Sequence, residues 1–434
     1  MGKPETPLSS DLPPLIMGTA TFNSQYNPDP YALPTTALVH RALSAGIRAF
    51  DTSPYYGPAE SLLGRALSTS SVLHHHPRHT YRLLTKVGRI ASSSFNYSPS
   101  WIRHSLARSL SRLNTPYLDV VYCHDVEFVS ATDVLAAVTE LRRLRDTQHT
   151  VRYIGISGYP VPVLCTLAEH ILRETGEPLD AVMSYANFTV QNTTLASAGV
   201  ARLRAARVDV VLNASPLGMG LLRRDGVPVG GMGDFHPAPE GLRNAVGVAG
   251  RWVEGRGERI EVVSIRYALE EWLREGAEVG SSALNMAAGQ EAASTGLDAR
   301  RKLGVSVMGV STIEELDETL RVWRSIIDGL ETSGDVEILE RVISEHDVSE
   351  TEKPSTSQGE NLVSGLSAVS VARDGVSARE QSRLQRQQIL SLVHEIRKIL
   401  GPEWVDYTWP SPEKGFVNQP PPPGYDEDLK SDAI

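Results

Sequence analysis

Eight short β-branched runs, alternating with stretches of helical periodicity, constrain this chain more than any other feature. The runs are Leu15–Thr19, Ile47–Phe50, Arg82–Thr85, Leu118–Tyr122, Tyr153–Ile156, Ala181–Ser184, Val208–Leu212 and Val305–Met308. Several are apolar at most positions, as expected of strands buried on both faces of a parallel sheet. Amphipathic segments such as Thr35–Ala45, Ser100–Arg112 and Asp133–Leu144 lie between them. Strand followed by helix, repeated eight times over about 320 residues, points to an α/β fold of parallel βαβ units closed into a (β/α)8 barrel of TIM type. No internal sequence repeat accompanies the alternation.

Two stretches break the rhythm. Residues 275–301 are rich in Ala, Gly and Ser and separate the helical stretch Glu261–Leu273 from the last strand, which predicts an insertion in a barrel spanning 1–333. Residues 347–382 mix Ser, Thr, Glu and Gly without aromatics, a composition that buries too little apolar area to offset its ordering entropy, so disorder is expected there. Helical spacing returns over Leu384–Leu400, predicting a C-terminal helical region over 383–410 that packs on the barrel. Residues 411–434 form an acidic tail containing Pro420–Pro423. A proline run can dock on an SH3- or WW-type partner, but an unbound surface tail is the plainer expectation.

Charge and composition exclude several functions. The 42 Lys+Arg against 52 Asp+Glu give a net charge of −10, which disfavours a nucleic-acid partner. No uninterrupted apolar run approaches the 18 or so residues of a membrane span. The polar start, Met1-Gly2-Lys3-Pro4-Glu5-Thr6, has no signal-peptide core, and a cytoplasmic protein is expected. Met1-Gly2 with Thr6 matches a myristoylation pattern, but one too short and common to weigh much. Cys123 and Cys165 are too few for a disulfide framework or a cysteine-based zinc site. His74, His75, His76 and His79 sit in a polar stretch without carboxylates to complete a site, so no metal is expected.

The residues with chemical potential lie where strands end. Phe50-Asp51-Thr52-Ser53-Pro54-Tyr55-Tyr56 follows the second run, Lys86 closes the third, and His124 closes the fourth. In a barrel, that face carries the active site. A lysine ending an apolar strand is costly unless a carboxylate pairs with it, and Asp51 is the candidate. A phenol with a pKa near 10 is a poor acid–base group at neutral pH, and an adjacent ammonium lowers that value. Singly, each residue is as well explained by packing or surface placement; jointly they form a proton-transfer set.

Asp51, Tyr56, Lys86 and His124 in this order resemble the catalytic tetrad of the aldo-keto reductases. Gly18-Thr19, Gly155-Ile156-Ser157-Gly158, Ser215-Pro216-Leu217-Gly218-Met219 and Gly309-Val310-Ser311-Thr312 extend the resemblance to about residue 330. Ser157-Gly158-Tyr159-Pro160, Ala214 before Ser215, and Tyr407-Thr408-Trp409-Pro410-Ser411 look like the sugar-oxidising branch, which includes L-galactose dehydrogenase and the fungal D-arabinose 1-dehydrogenases. The resemblance implies Tyr56 as general acid–base, Lys86 and Asp51 tuning it, and His124 at the reacting oxygen. It implies a nicotinamide cofactor held by Gly18, Thr19, Ser157, Gly158, Ser184, Ser215, Leu217, Met219, Gly309, Ser311, Glu315 and Glu318. Gly158 replaces the family's usual Asn, and no glutamine of the usual kind ends the strand at Ala181–Tyr185. Gly309 and Glu315 stand where NADP-preferring members carry cations, so NAD is expected, with NADP possible if Arg321 or another base compensates. The implied reaction is oxidation of a cyclic aldose at C1 to its lactone. An NADPH-dependent aldehyde reductase and a nucleotide-binding regulatory barrel are the alternatives. A small-molecule sugar is the expected partner, and a monomer and a weak dimer are equally compatible with the sequence.

Overall fold

A computed structural model describes residues 4–228, 230, 232–282, 301–330 and 377–421. Eight parallel strands close a barrel: β1 (Leu15–Gly18), β2 (Ala49–Asp51), β3 (Arg82–Val87), β4 (Leu118–His124), β5 (Val151–Gly158), β6 (Ala181–Tyr185), β7 (Val210–Ala214) and β8 (Val305–Gly309). Each strand pairs with its sequence neighbours, and β8 closes on β1 through the pairs Leu15–Ser306 to Gly18–Gly309. β3 and β4 run farther than the apolar pattern suggests, to Val87 and His124. The ladder continues because Lys86 and His124 are buried with partners instead of turning to water.

The barrel interior is filled by alternate side chains, among them Ile16, Ala49, Leu84, Val120, Tyr122, Tyr153, Met183, Leu212 and Val307. Full burial of each large apolar side chain contributes roughly 1.5–3 kcal/mol. Gly155 makes room for Tyr122, since a Cβ there would lie 2.4 Å from the Ala181 carbonyl and 2.8 Å from the Tyr122 ring. The N-terminal end is plugged by Leu8 and Leu12, and above them Arg82 clamps Asp11 with Nε–Oδ2 at 2.8 Å. That end is sealed by packing and ion pairs, leaving the opposite rim for chemistry.

The surrounding helices are α1 (Thr35–Ser44), α2 (Ala59–Leu67), α3 (Ser70–His75), α4 (Pro99–Arg112), α5 (Ala131–Gln148), α6 (Val161–Thr175), α7 (Val200–Ala205), α8 (Glu240–Glu254), α9 (Ile260–Glu275) and α10 (Ile313–Asp328). Most of the 275–301 stretch lies outside the described residues. Its base is pinched where Ser281 and Leu303 exchange backbone hydrogen bonds of 2.8 Å. Residues 347–376 of the expected disordered stretch are likewise outside the described residues.

A final helix, α11 (Ala378–Trp404), starts six residues before the periodic stretch at Leu384. Ser377 caps it by accepting from the Glu380 amide at 3.2 Å, a local signal that outweighs the polar composition of the first turn. Ile389, Val393, Ile396 and Leu400 bury one face against Val246, Val253 and Val263 of α8 and α9. Arg386 adds a two-pronged contact to Glu271, both distances 2.7 Å. After Gly401-Pro402 breaks the helix, residues 405–421 run across the C-terminal rim of the barrel.

Among the described residues, no helix is long and apolar enough to cross a membrane, and no group of three or more His, Cys, Asp or Glu is placed to hold a metal ion.

Candidate active site

Asp51 ends β2 and Lys86 nearly ends β3, and the closed sheet brings them together with Lys86 Nζ 2.7 Å from Asp51 Oδ1. A second donation, 3.0 Å to the Thr52 carbonyl, fixes the ammonium. Both side chains are almost wholly buried. Burial pushes both toward neutrality and leaves the Asp51 carboxyl above its ordinary range. Lys86 nevertheless stays protonated, because Asp51 and Tyr56 together outweigh its own desolvation. The ammonium lies 4.9 Å from the centroid of the Tyr56 ring.

The structure corrects one expectation about Tyr56. Lys86 does favour its phenolate, yet the phenol sits above its ordinary pKa. Burial raises it most, and the carboxylates of Asp51 and Asp125 add to that effect. In this state Tyr56 is a proton donor.

His124 closes the set. Its Nδ1 shares a 3.1 Å hydrogen bond with Ser53 Oγ, and its ring meets Tyr56 edge-on with centroids 5.8 Å apart. Burial drives its pKa down to about 3, with Lys86 and Arg89 reinforcing the effect against Asp125. The imidazole is therefore neutral and can offer or accept one hydrogen bond at Nε2 without bringing charge. Asp51, Tyr56, Lys86 and His124, identified from three separate strand ends, thus form one cluster.

The proposed cofactor residues lie on the same rim. Thr19 Oγ1 donates to the Asp51 carbonyl at 3.1 Å, Ser157 pairs in register with His124, and Gly158 with Ser184. After β7 the chain turns tightly through Ser215, Gly218, Met219 and Gly220, all at positive φ. Among the described residues, the Leu217 and Met219 amides have no backbone acceptor. Amides left open in such a turn suit an anion. At the start of α10, Thr312 caps the helix, while Glu315 Oε2 accepts from the Ser311 amide at 2.7 Å. A carboxylate therefore already fills the helix N-terminus beside Gly309, where a 2′-phosphate would be drawn. Arg223 lies 3.9 Å from Glu315, and Glu318 pairs with Arg259. The base facing Glu315 is thus Arg223, from the loop after β7.

Gly158 packs closely against Glu127. A Cβ at Gly158 would lie 2.4 Å from Glu127 Oε2. Gly158→Asn, which installs the family's usual residue, should therefore cost about 1–3 kcal/mol in urea unfolding; a variant as stable as the parent would contradict this packing. The other oxygen, Oε1, accepts from the Tyr159 amide at 3.0 Å and from Ser411 Oγ at 2.9 Å. Burial, helped by Asp125, pushes the Glu127 carboxyl up to about 8. The folded protein then holds a proton that the unfolded chain releases near pH 4.3. Stability is full below that value and declines as pH rises to about 8, by up to about 1.4 kcal/mol per pH unit. Glu127→Gln, lacking this titration, should gain on the parent between pH 5 and 8 in urea midpoints; parallel pH profiles would show that Glu127 ionises normally.

Three further groups shape this rim; Asn187 and Arg89 carried no sequence signal, whereas Trp409 belongs to a motif already read in the sequence. Asn187 donates to Ser184 Oγ at 2.9 Å and to the Tyr159 and Tyr185 carbonyls, fixing the end of β6 where the expected glutamine is missing. Arg89, in a short hairpin (Arg89–Ala91 with Ser94–Phe95), pairs with Asp125. Finally, Trp409 stacks on Tyr159 at 4.5 Å and 7°, with Met219 against the same cluster. The segment carrying Trp409 is fastened at both ends. Gln191 donates to the Trp404 and Tyr407 carbonyls, and Asn418 pairs with both backbone groups of Phe95 at 2.8 Å.

A model of the aldo/keto reductase family matches residues 14–329. The chain belongs to that family. As a member it is a nicotinamide-dependent oxidoreductase acting on CH–OH groups. D-arabinose 1-dehydrogenase of Saccharomyces cerevisiae is 42% identical over 269 residues, covering 62% of this chain and 78% of that protein. L-galactose dehydrogenase of Arabidopsis thaliana is 32% identical over 288 residues, covering 66% of this chain and 84% of that protein. Among solved structures, a glycerol dehydrogenase from Gluconobacter oxydans has a TM-score of 0.49 at 18% identity, covering 79% of this chain and 95% of its own.

Proposed function

We propose that this aldo-keto reductase oxidises a cyclic aldose at C1 to its lactone, with NAD as the preferred cofactor. The observation that carries the chemistry is the buried Asp51–Lys86 pair set against Tyr56 and a neutral His124 at the open rim of the barrel. The substrate class is drawn from two relatives, one named a D-arabinose and the other an L-galactose dehydrogenase.

In this reading the sugar's anomeric hydroxyl sits between Tyr56 and His124. His124 Nε2 orients that oxygen without adding charge. Tyr56 takes the hydroxyl proton, and the charged Lys86, held by Asp51, stabilises the phenolate that must exist beforehand. When bound, the oxidised nicotinamide supplies the hydride acceptor and a positive charge. Ser157 and Ser184 would hold its carboxamide, and the loop from Ser215 to Met219 its pyrophosphate. Any cation at this rim acts on Tyr56 in the same sense as Lys86, offsetting the burial that keeps the free phenol protonated. Glu315, seated at the start of α10, repels a 2′-phosphate but can accept from a ribose hydroxyl, which supports NAD over NADP.

Initial rates of nicotinamide reduction across a panel of pentoses and hexoses, with NAD and with NADP, test the reading. It expects NAD reduction with D-arabinose- or L-galactose-type sugars and weaker use of NADP. NADPH-driven reduction of simple aldehydes without sugar oxidation would replace it with a reductase.

A further inference from the structure

We propose that the Arg89–Asp125 pair, roofed by Tyr55, reads a sugar hydroxyl next to the reacting carbon; this assignment rests on the aldose reading above. The pair lies immediately beside the catalytic cluster. Asp125 follows His124 in sequence, and its Oδ2 is 3.6 Å from His124 Nε2, the atom left free by Ser53. Arg89 donates to Asp125 Oδ2 and, at 3.0 Å, to the Tyr55 hydroxyl. Tyr55 in turn meets the His124 ring edge-on at 5.9 Å.

The construction is elaborate for a structural ion pair at a barrel mouth. The guanidinium lies 3.8 Å from the Tyr55 ring centroid, with Phe95 and Phe128 at 5.5 and 5.9 Å, so its plane is held by aromatics. Asp125 adopts a left-handed backbone at φ 55°, a conformation disfavoured for a non-glycine residue and concentrated at functional sites. It is 1% exposed, yet its second oxygen, Oδ1, has no hydrogen-bond partner among the described residues. A buried carboxylate oxygen without a donor is costly, so the pair holds unspent hydrogen-bonding capacity beside the reacting oxygen. A guanidinium and a carboxylate side by side offer donor and acceptor together, which suits a hydroxyl that must do both. Tyr56 and His124 handle the oxygen on C1, which leaves Arg89 and Asp125 for a hydroxyl on a neighbouring carbon.

The test compares an aldose with its 2-deoxy and 3-deoxy analogues in the parent, Arg89→Gln, Arg89→Lys and Asp125→Asn, with NAD binding by protein fluorescence as the folding control. The parent should prefer the full sugar over one deoxy analogue by about 10- to 100-fold in kcat/KM, mostly through KM. That preference should shrink to within about threefold in Arg89→Gln and Asp125→Asn, as coupling between side chain and hydroxyl requires. Arg89→Lys keeps a charge beside Asp125, so it folds if charge alone is what Asp125 needs. It should still lose most of the preference, because it lacks the planar fork. Undiminished preference in folded variants, or a parent indifferent to both deletions, would overturn the assignment alone. A parent that oxidises no aldose would overturn the aldose reading, and the assignment with it.

Discussion

Replacing Tyr56 by phenylalanine should lower kcat for sugar oxidation by about 10²–10⁴-fold while leaving NAD binding intact. The ring would keep its packing against Lys86 and His124, since only the hydroxyl is removed. What disappears is the phenol that the proposed mechanism uses to take up the proton. His124 cannot substitute, because its pKa of about 3 makes it a weak base in this setting. Single-turnover rates and fluorescence titration with NAD separate the two effects. A variant within about tenfold of the parent would move the proton to another group and remove Tyr56 from the chemistry.

The second large effect concerns stability. Lys86→Met should destabilise the protein by about 3–5 kcal/mol near neutral pH, because Asp51 is left buried without its partner. The burial that already lifts the Asp51 carboxyl would then act unopposed, and Asp51 would take up a proton. The loss should therefore be smaller in acid than at neutral pH, the direction expected when a folded-state carboxyl rises above its unfolded value. Combining Lys86→Met with Asp51→Asn should recover part of the loss, since removing both charges leaves neither member of the pair buried without its partner. Activity should not return in the double variant. Urea unfolding of the single and double variants at pH 5 and 7.5 checks this. Equal losses at both pH values, or no recovery in the double variant, would show that Lys86 stabilises by packing and not by pairing.

The legibility of this protein in its sequence follows from where its chemistry lies. In a barrel the strand ends are where apolar runs stop, so Asp51, Lys86 and His124 stand out as ionisable residues terminating apolar segments. Tyr56 could be attached to them because it follows Asp51 closely. The sign of the Tyr56 shift was not readable in the same way. It depends on burial and on Asp125, and burial is a property of the closed barrel that no local pattern reports. Arg89, Asp125 and Glu127 escaped notice for a related reason. Each sits just beyond a barrel strand, and each is informative only through partners fixed by the fold.

The rim segment is the extreme case. Asn418 pairs with Phe95 across 323 residues of sequence, and Ser411 with Glu127 across 284. Nothing in the polar, proline-rich composition of 405–421 marks it as part of a site. Trp409 stands out only through the resemblance carried by Tyr407–Ser411, and its place at the rim, like that of Phe416, shows only once Tyr159 and Phe128 are seen beneath them. The boundary of α11 failed to show in the hydrophobic period but was present in a shorter signal, Ser377 three residues before Glu380.

The central claim is that hydrogen leaves C1 of a cyclic aldose for the cofactor while Tyr56 takes the proton from the attached oxygen. Oxidation of an aldose deuterated at C1, followed by NMR of the recovered cofactor and of the sugar product, tests it most directly. The account predicts deuterium on the nicotinamide, a lactone as the sugar product, and neither in Tyr56→Phe over the same time. Reduced cofactor without deuterium, or a product oxidised at another carbon with the C1 label retained, would contradict it.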